Sequence, residues 1–166
     1  MITYPITDKF KNHFISLYKH KKEELREYSS PWDYESGIHC VFIPLTKRIG
    51  VKVYREKYQV CGALKNQIRA FRHGIAPEYG KMFQIKVDKP INEWDIGPTT
   101  LYCHFTEIAQ TLQEEVALDE NNFPTGIEHA ELCAKLKEIN LYWVAEDLHR
   151  FNIGRIGNRM VCIDFI

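Results

Sequence analysis

The chain has 166 residues, enough for one domain with a sizeable core or for two small lobes that share one. Apolar residues make up 45% of it, and 22 basic side chains balance 22 acidic ones, so no net field points to nucleic acid or to an anionic membrane. No apolar run approaches the ~20 residues that span a bilayer, and the opening MITYPITDKF lacks the charged-then-apolar profile of a secretory leader. Both features imply a cytoplasmic protein.

Residues 8–28 predict a helix with Asp8 as N-cap and Phe10, Phe14, Leu17 and Tyr18 on one face; its second half, KHKKEELRE, reads as solvated. SSPWDYESG predicts turns. IHCVFIPL and IGVKVYR then predict two strands around a TKR turn. Residues 57–73 predict a helix that presents Val60, Leu64, Gln67 or Ile68, and Phe71 on one side, with Gly74 just past its end. KMFQIKVDKPI and TTLYCHFTEIA predict two further strands, separated by the turn NEWDIGP.

The stretch QTLQEEVALDENNFPTG reads as a short helix running into an acidic loop, the first place to look for a partner contact. IEHAELCAKLKEINLYWV predicts one continuous helix with Leu132, Cys133, Leu136, Ile139 and Trp143 as its apolar stripe. Tyr102, Phe105, Tyr142 and Trp143 read as core aromatics. DLHRFN predicts a loop, and IGRIGNRMVCIDF a hairpin that turns at GN. Helix, strands, helix, strands, helix and hairpin in that order make an α+β chain, not an alternating parallel one. The five cysteines are scattered, without a C-x-x-C pair, and the seven histidines show no ligand spacing. Buried free thiols are therefore expected, with neither a disulfide framework nor a zinc site.

The chemistry concentrates in the last twenty residues. Asp147 and Asn152 are separated by a short loop, and the hairpin can fold Asp164 back beside Asn152. A carboxylate and an amide oxygen form a hard oxygen set suited to Mg²⁺, which takes few protein ligands and completes its shell with phosphate and water. Asp147 beside that ion could orient a hydroxyl or accept its proton. The set suits phosphoryl transfer from a nucleotide.

D-L-H-R-F-N followed by V-C-I-D-F resembles the catalytic loop and metal-binding motif of the protein-kinase-like superfamily, closest to its aminoglycoside-phosphotransferase and related bacterial and phage branches. The resemblance runs in order from about Ser36 to Phe165. It implies a minimal protein-kinase-like fold: an antiparallel N-lobe sheet plus helix, a hinge, and a reduced helical C-terminal part carrying the catalytic-loop hairpin. It divides a single domain into an N-terminal helical extension (1–30), an N-lobe-like part (31–108) and a truncated C-lobe-like part (109–166). The implied cofactors are ATP and Mg²⁺. Lys52 in G-V-K-V-Y resembles the strand lysine that contacts phosphates and serves catalysis. Asp147 would orient the acceptor, Asn152 and Asp164 would hold the metal, and the backbone of Thr106, Glu107 and Ile108 would border adenine.

The departures from the family pattern are equally specific. The acidic partner expected for the lysine is replaced by Gln67, with Asn66 beside it; an amide cannot ion-pair with Lys52, so the lysine is held less firmly, and Gln67 reads as a surface or lobe-interface amide beside the cofactor site. The phosphate-covering loop ESGIHCVF carries only Gly37, with His39 and Cys40 where backbone should approach phosphate. The DFG-like motif reads D-F-I, and no activation segment or substrate platform is expected after it. Two readings follow: an ATP/Mg-dependent phosphotransferase, or an inactive pseudokinase-like interaction protein that acts as a decoy or inhibitor. Both imply a nucleotide or protein partner and no nucleic acid or membrane.

Overall fold

The computed structural model describes residues 1–28, 40–87, 99–112 and 117–166. The predicted turns at 29–37 and 92–98, with Gly37 and His39, lie outside the described residues. The fold is α+β around an antiparallel sheet.

Helix α1 spans Asp8–Tyr28. Its cap is Thr7, not Asp8: Thr7 Oγ1 accepts the Phe10 N–H at 3.1 Å. Asp8 instead sits in the first turn, where its charge suits the helix dipole. Strands β1 (Cys40–Pro44) and β2 (Ile49–Tyr54) form a hairpin. Thr46 Oγ1 fixes its turn by accepting the Arg48 and Ile49 N–H groups. Helix α2 (Lys57–Arg72) follows. Gly74, at φ +72°, closes it, and the Ile75 N–H reaches back to the Ala70 carbonyl at 3.1 Å. Strands β3 (Tyr79–Val87) and β4 (Thr99–Glu107) complete a sheet of order β1-β2-β4-β3.

Strand alternation sends two side-chain sets in opposite directions. Val41, Ile43, Val51, Val53, Leu101, Cys103 and Phe105 face back, where Phe14 and Tyr18 of α1 cover them. Phe10 adds ring contacts with Phe83 and Phe105. The expected α1 stripe is thus the one that packs. The front carries Tyr54, which joins Val60, Ala63 and Ala70 of α2 and the C-terminal elements in a second core. The buried face of α2 is Val60, Ala63, Gln67 and Ala70. Leu64 and Ile68, expected to face inward, are only half-buried.

After β4 the chain forms β5 (Gln110–Thr111), where a helix was expected. The predicted 127–144 helix is two: α3 (Ile127–Glu138) and α4 (Tyr142–Glu146). Asn140 breaks it by adopting φ +59°, while the Leu141 N–H returns to the Leu136 carbonyl at 2.9 Å. The break turns Tyr142 and Trp143 outward, to 53% and 48% exposure, so neither is a core aromatic. A 3₁₀ turn (Arg150–Asn152) leads into the hairpin of β6 (Ile153–Ile156) and β7 (Arg159–Cys162). β5 pairs with β6 at Gly154, where a Cβ would meet Ala109 Cβ at 2.7 Å and the Gln110 carbonyl at 2.9 Å. All five cysteines are free; Cys103 and Cys162 are buried, Cys40 and Cys133 half-buried, and Cys61 exposed. Among the described residues no helix is long and apolar enough to cross a membrane.

Candidate functional site

The loop 147–152 is built around one apolar anchor. Leu148 is fully buried, and its carbonyl meets His129 Nε2 at 2.8 Å. That anchor holds the polar residues on either side at the surface. Asn152 Nδ2 donates to the Asp147 carbonyl at 2.8 Å and to Asp147 Oδ2 at 2.9 Å. The same nitrogen also lies 3.2 Å from His149 Nε2, so the Asn152 amide faces both Asp147 and His149. His149 Nδ1 accepts the Phe151 N–H at 3.2 Å. His149 Nε2 lies 3.8 Å from Asp147 Oδ1.

The segment after β7 is strapped down from several sides. The Ile163 N–H donates to the Asn152 carbonyl at 2.9 Å. Cys162 Sγ donates to the Asp164 carbonyl at 3.1 Å, and Asn66 Nδ2 to the Phe165 carbonyl at 3.2 Å. Lys52, on the front face of β2, donates from Nζ to the Ile163 carbonyl and stands 5.8 Å over the Phe165 ring. Asp164 is thereby fixed one residue from the lysine's partner. Its Oδ1 accepts the Ile166 N–H at 3.3 Å.

Asp147, His149, Asn152, Asp164 and Ile166 share an open cleft of about 560 Å³ with Cys40, Val41 and Phe42 of β1 and with Lys21 and Leu25 of α1. Lys52 is not in the wall of this cleft. It stands behind it, and Cys40 senses both charges: burial pushes the Cys40 thiol up, Lys52 opposes that, and Asp164 adds to it. Opposite Lys52 on β4 lies His104, fully buried. Its Nδ1–H donates to the Phe105 carbonyl at 3.0 Å, and Nε2 has no hydrogen-bond partner among the described residues. Burial, with the Lys52 charge adding to it, pushes the imidazole down to about 4.

The other expected site residues lie elsewhere. Gln67 is buried between α2 and the sheet, where Nε2 donates to Thr106 Oγ1 at 2.9 Å and to the Pro77 carbonyl at 3.1 Å. None of its hydrogen bonds goes to Lys52; the neighbouring Asn66 is the amide that reaches the tail. At the expected adenine border the backbone is engaged within the fold. The Glu107 N–H donates to the Glu78 carbonyl and the Ile108 N–H to the Arg48 carbonyl, both at 2.8 Å. Thr106 is buried within the central strand, paired with Gly50 on one side and Tyr79 on the other. Glu107 lines a separate hollow of about 590 Å³ with Met1, Arg48 and Glu78, away from the aspartates.

Asp147, Asn152 and Asp164 bring hard oxygens to the wall of this cleft, and they are the residues that could hold a divalent cation such as Mg²⁺. No group of three or more His, Cys, Asp or Glu side chains is arranged to hold a metal among the described residues. Lys21, which the sequence reading left in a solvated charged run, also lines the cleft. No known protein family, curated protein or solved structure matches this chain.

Proposed function

We propose that this cleft binds the Mg²⁺-bound phosphates of a nucleotide such as ATP, and that the chain is a minimal kinase-like phosphotransferase. The observation that carries the reading is the orientation of Asn152. Its NH₂ group faces Asp147 and His149, so its oxygen is not spent on Asp147, and Asn152 and Asp164 line the same cleft. Asp147 keeps an exposed carboxylate at the cleft for an acceptor hydroxyl. Bound Mg²⁺ would neutralise charge on the transferring phosphate. Lys52, on a rigid strand behind Ile163, is the cation that would exchange a carbonyl partner for phosphate.

A second reading is an inactive kinase-like protein that acts by binding a protein partner. The occupied N–H groups of Glu107 and Ile108 and the amide at Gln67 favour it, because adenine would lack its backbone donors and Lys52 its acidic partner. A thermal-shift titration separates the two. Under the first reading MgATP raises Tm by linkage, ATP with EDTA raises it less, and Asp164→Ala removes the difference. A wild-type protein that ignores MgATP ends the nucleotide reading. Transfer of labelled γ-phosphate to the protein or to an added acceptor then tests the chemistry.

A further inference from the structure

The apolar stripe of α1 contains one charged residue. Phe14, Leu17, Tyr18 and Leu25 recur at helical spacing, and Lys21 lies on the same stripe, seven residues after Phe14 and four before Leu25. A stripe position normally faces the core. The first part of this stripe does so, since Phe14 and Tyr18 are buried against the back of the sheet. Farther along, α1 runs by the edge strand β1, and the same stripe emerges at the cleft. Lys21 and Leu25 line it opposite Asp147, Asn152 and Asp164.

We propose that Lys21 is a phosphate-binding residue of this cleft. It contacts the non-bridging oxygens of a nucleoside polyphosphate whose Mg²⁺ lies between Asn152 and Asp164. The inference rests on the nucleotide reading above and assigns to it a residue outside the kinase-like motifs. Among the described residues that line the cleft, Lys21 is the only Lys or Arg, against two aspartates. A polyphosphate entering with its metal satisfies the aspartates, and an ammonium on the opposite wall then meets the remaining anionic oxygens. Lys52 cannot serve from that side, because it stands behind Ile163. Among the described residues the Lys21 ammonium bonds Glu24 Oε2 at 3.4 Å, an exposed pair one helical turn away. Such a pair is weak and exchanges readily for phosphate.

The test compares Lys21→Ala, Lys21→Arg and Lys9→Ala in the full chain by calorimetric titration with MgATP and with Mg²⁺ alone. Lys9 is exposed near the opposite end of α1 and serves as the control. Lys21→Ala should weaken MgATP about tenfold or more, the range of one charge-assisted hydrogen bond. Lys21→Arg should restore most of the loss, and Lys9→Ala should change nothing. Circular dichroism of Lys21→Ala should match wild type. Wild-type binding of MgATP that survives Lys21→Ala overturns this inference and leaves the nucleotide reading standing. So does a loss that Lys21→Arg fails to restore, or Mg²⁺ alone binding more tightly to Lys21→Ala while MgATP is unaffected. A wild-type chain that does not bind MgATP removes both.

Discussion

Lys52 and Ile163 are 111 residues apart, and the ammonium of one donates to the backbone carbonyl of the other. The bond joins the middle of the sheet to the segment that presents Asp164. It also gives Lys52 a structural task in the resting protein, separate from any task toward phosphate. Lys52→Met keeps most of the buried stem and deletes the bond. The expected cost is about 1 kcal/mol in urea unfolding, because the group is half-buried and its bond is only partly shielded from water. The MgATP-dependent rise in Tm should disappear. A variant as stable as wild type would show that the bond is marginal, and one that retains the MgATP response would remove Lys52 from the site.

Asn152 is tied to Asp147 by two hydrogen bonds from one nitrogen, and the change of amide to acid separates geometry from charge. Asn152→Ala removes both bonds from an exposed loop and should cost about 1 kcal/mol. Asn152→Asp should cost more at pH 7, since it places a second carboxylate against Asp147. Added Mg²⁺ should recover part of that loss, because a divalent ion satisfies both acids. Denaturation with and without millimolar Mg²⁺ reads the effect. Equal stability of the two variants, with no response to magnesium, would mean that the Asp147–Asn152 contact is energetically idle.

Particular residues show where the sequence was legible. The back of the sheet could be read because Val41, Ile43, Val51 and Val53 alternate cleanly and meet the Phe14–Tyr18 stripe. The inner face of α2 could not, because small residues win there. Ala63 and Ala70 let the helix lie close to the sheet, while the larger Leu64 and Ile68 stand half out. The break at Asn140 was hidden by apolar periodicity that continues through it; an asparagine that can take φ +59° was the available signal. The placement of Asp147, Asn152 and Asp164 along one cleft follows from loop and hairpin geometry, which local sequence carries. At the expected adenine border, local sequence does not reveal that β4 is an inner strand with the N–H groups of Glu107 and Ile108 already bonded within the fold. Lys21 disappeared into a charged run, although its stripe position was readable.

His104 makes stability depend on pH with a definite sign. The folded imidazole titrates at about 4, against an ordinary value of 6.5. The unfolded chain therefore binds this proton first as pH falls, and it gains by doing so. The stabilisation is fully present above pH 6.5, falls through the interval down to 4, and is then exhausted. One group with that displacement contributes about 3 kcal/mol across the window. The groups around it are Lys52, its cross-strand neighbour, and the stacked Tyr54, whose hydroxyl burial pushes up and keeps neutral. His104→Gln should be less stable at pH 7 and should lose the slope between pH 6.5 and 5, above the range where ordinary carboxylates dominate. Parallel slopes for wild type and variant would show that His104 is not the source.

Gln67 separates the family expectation from the structure most sharply. A kinase-like chain would place an acid here to pair with Lys52, so Gln67→Glu would restore a lost ion pair and raise stability. The structure leads to the opposite result. Gln67 is 1% exposed, and its nitrogen donates to the Pro77 carbonyl and to Thr106 Oγ1. A glutamate would turn an acceptor toward the Pro77 carbonyl and bury a charge whose only nearby donor is one hydroxyl. The expected penalty is about 3 kcal/mol or more at pH 7. Burial would also raise the pKa of the new acid. The deficit should therefore narrow as pH falls and the acid takes up a proton. Gln67→Leu removes the polar group altogether and leaves the Pro77 carbonyl short of a donor, so it should be damaging without that pH dependence. A Gln67→Glu protein more stable than wild type at pH 7 would place this side chain against Lys52 and overturn the packing described for α2.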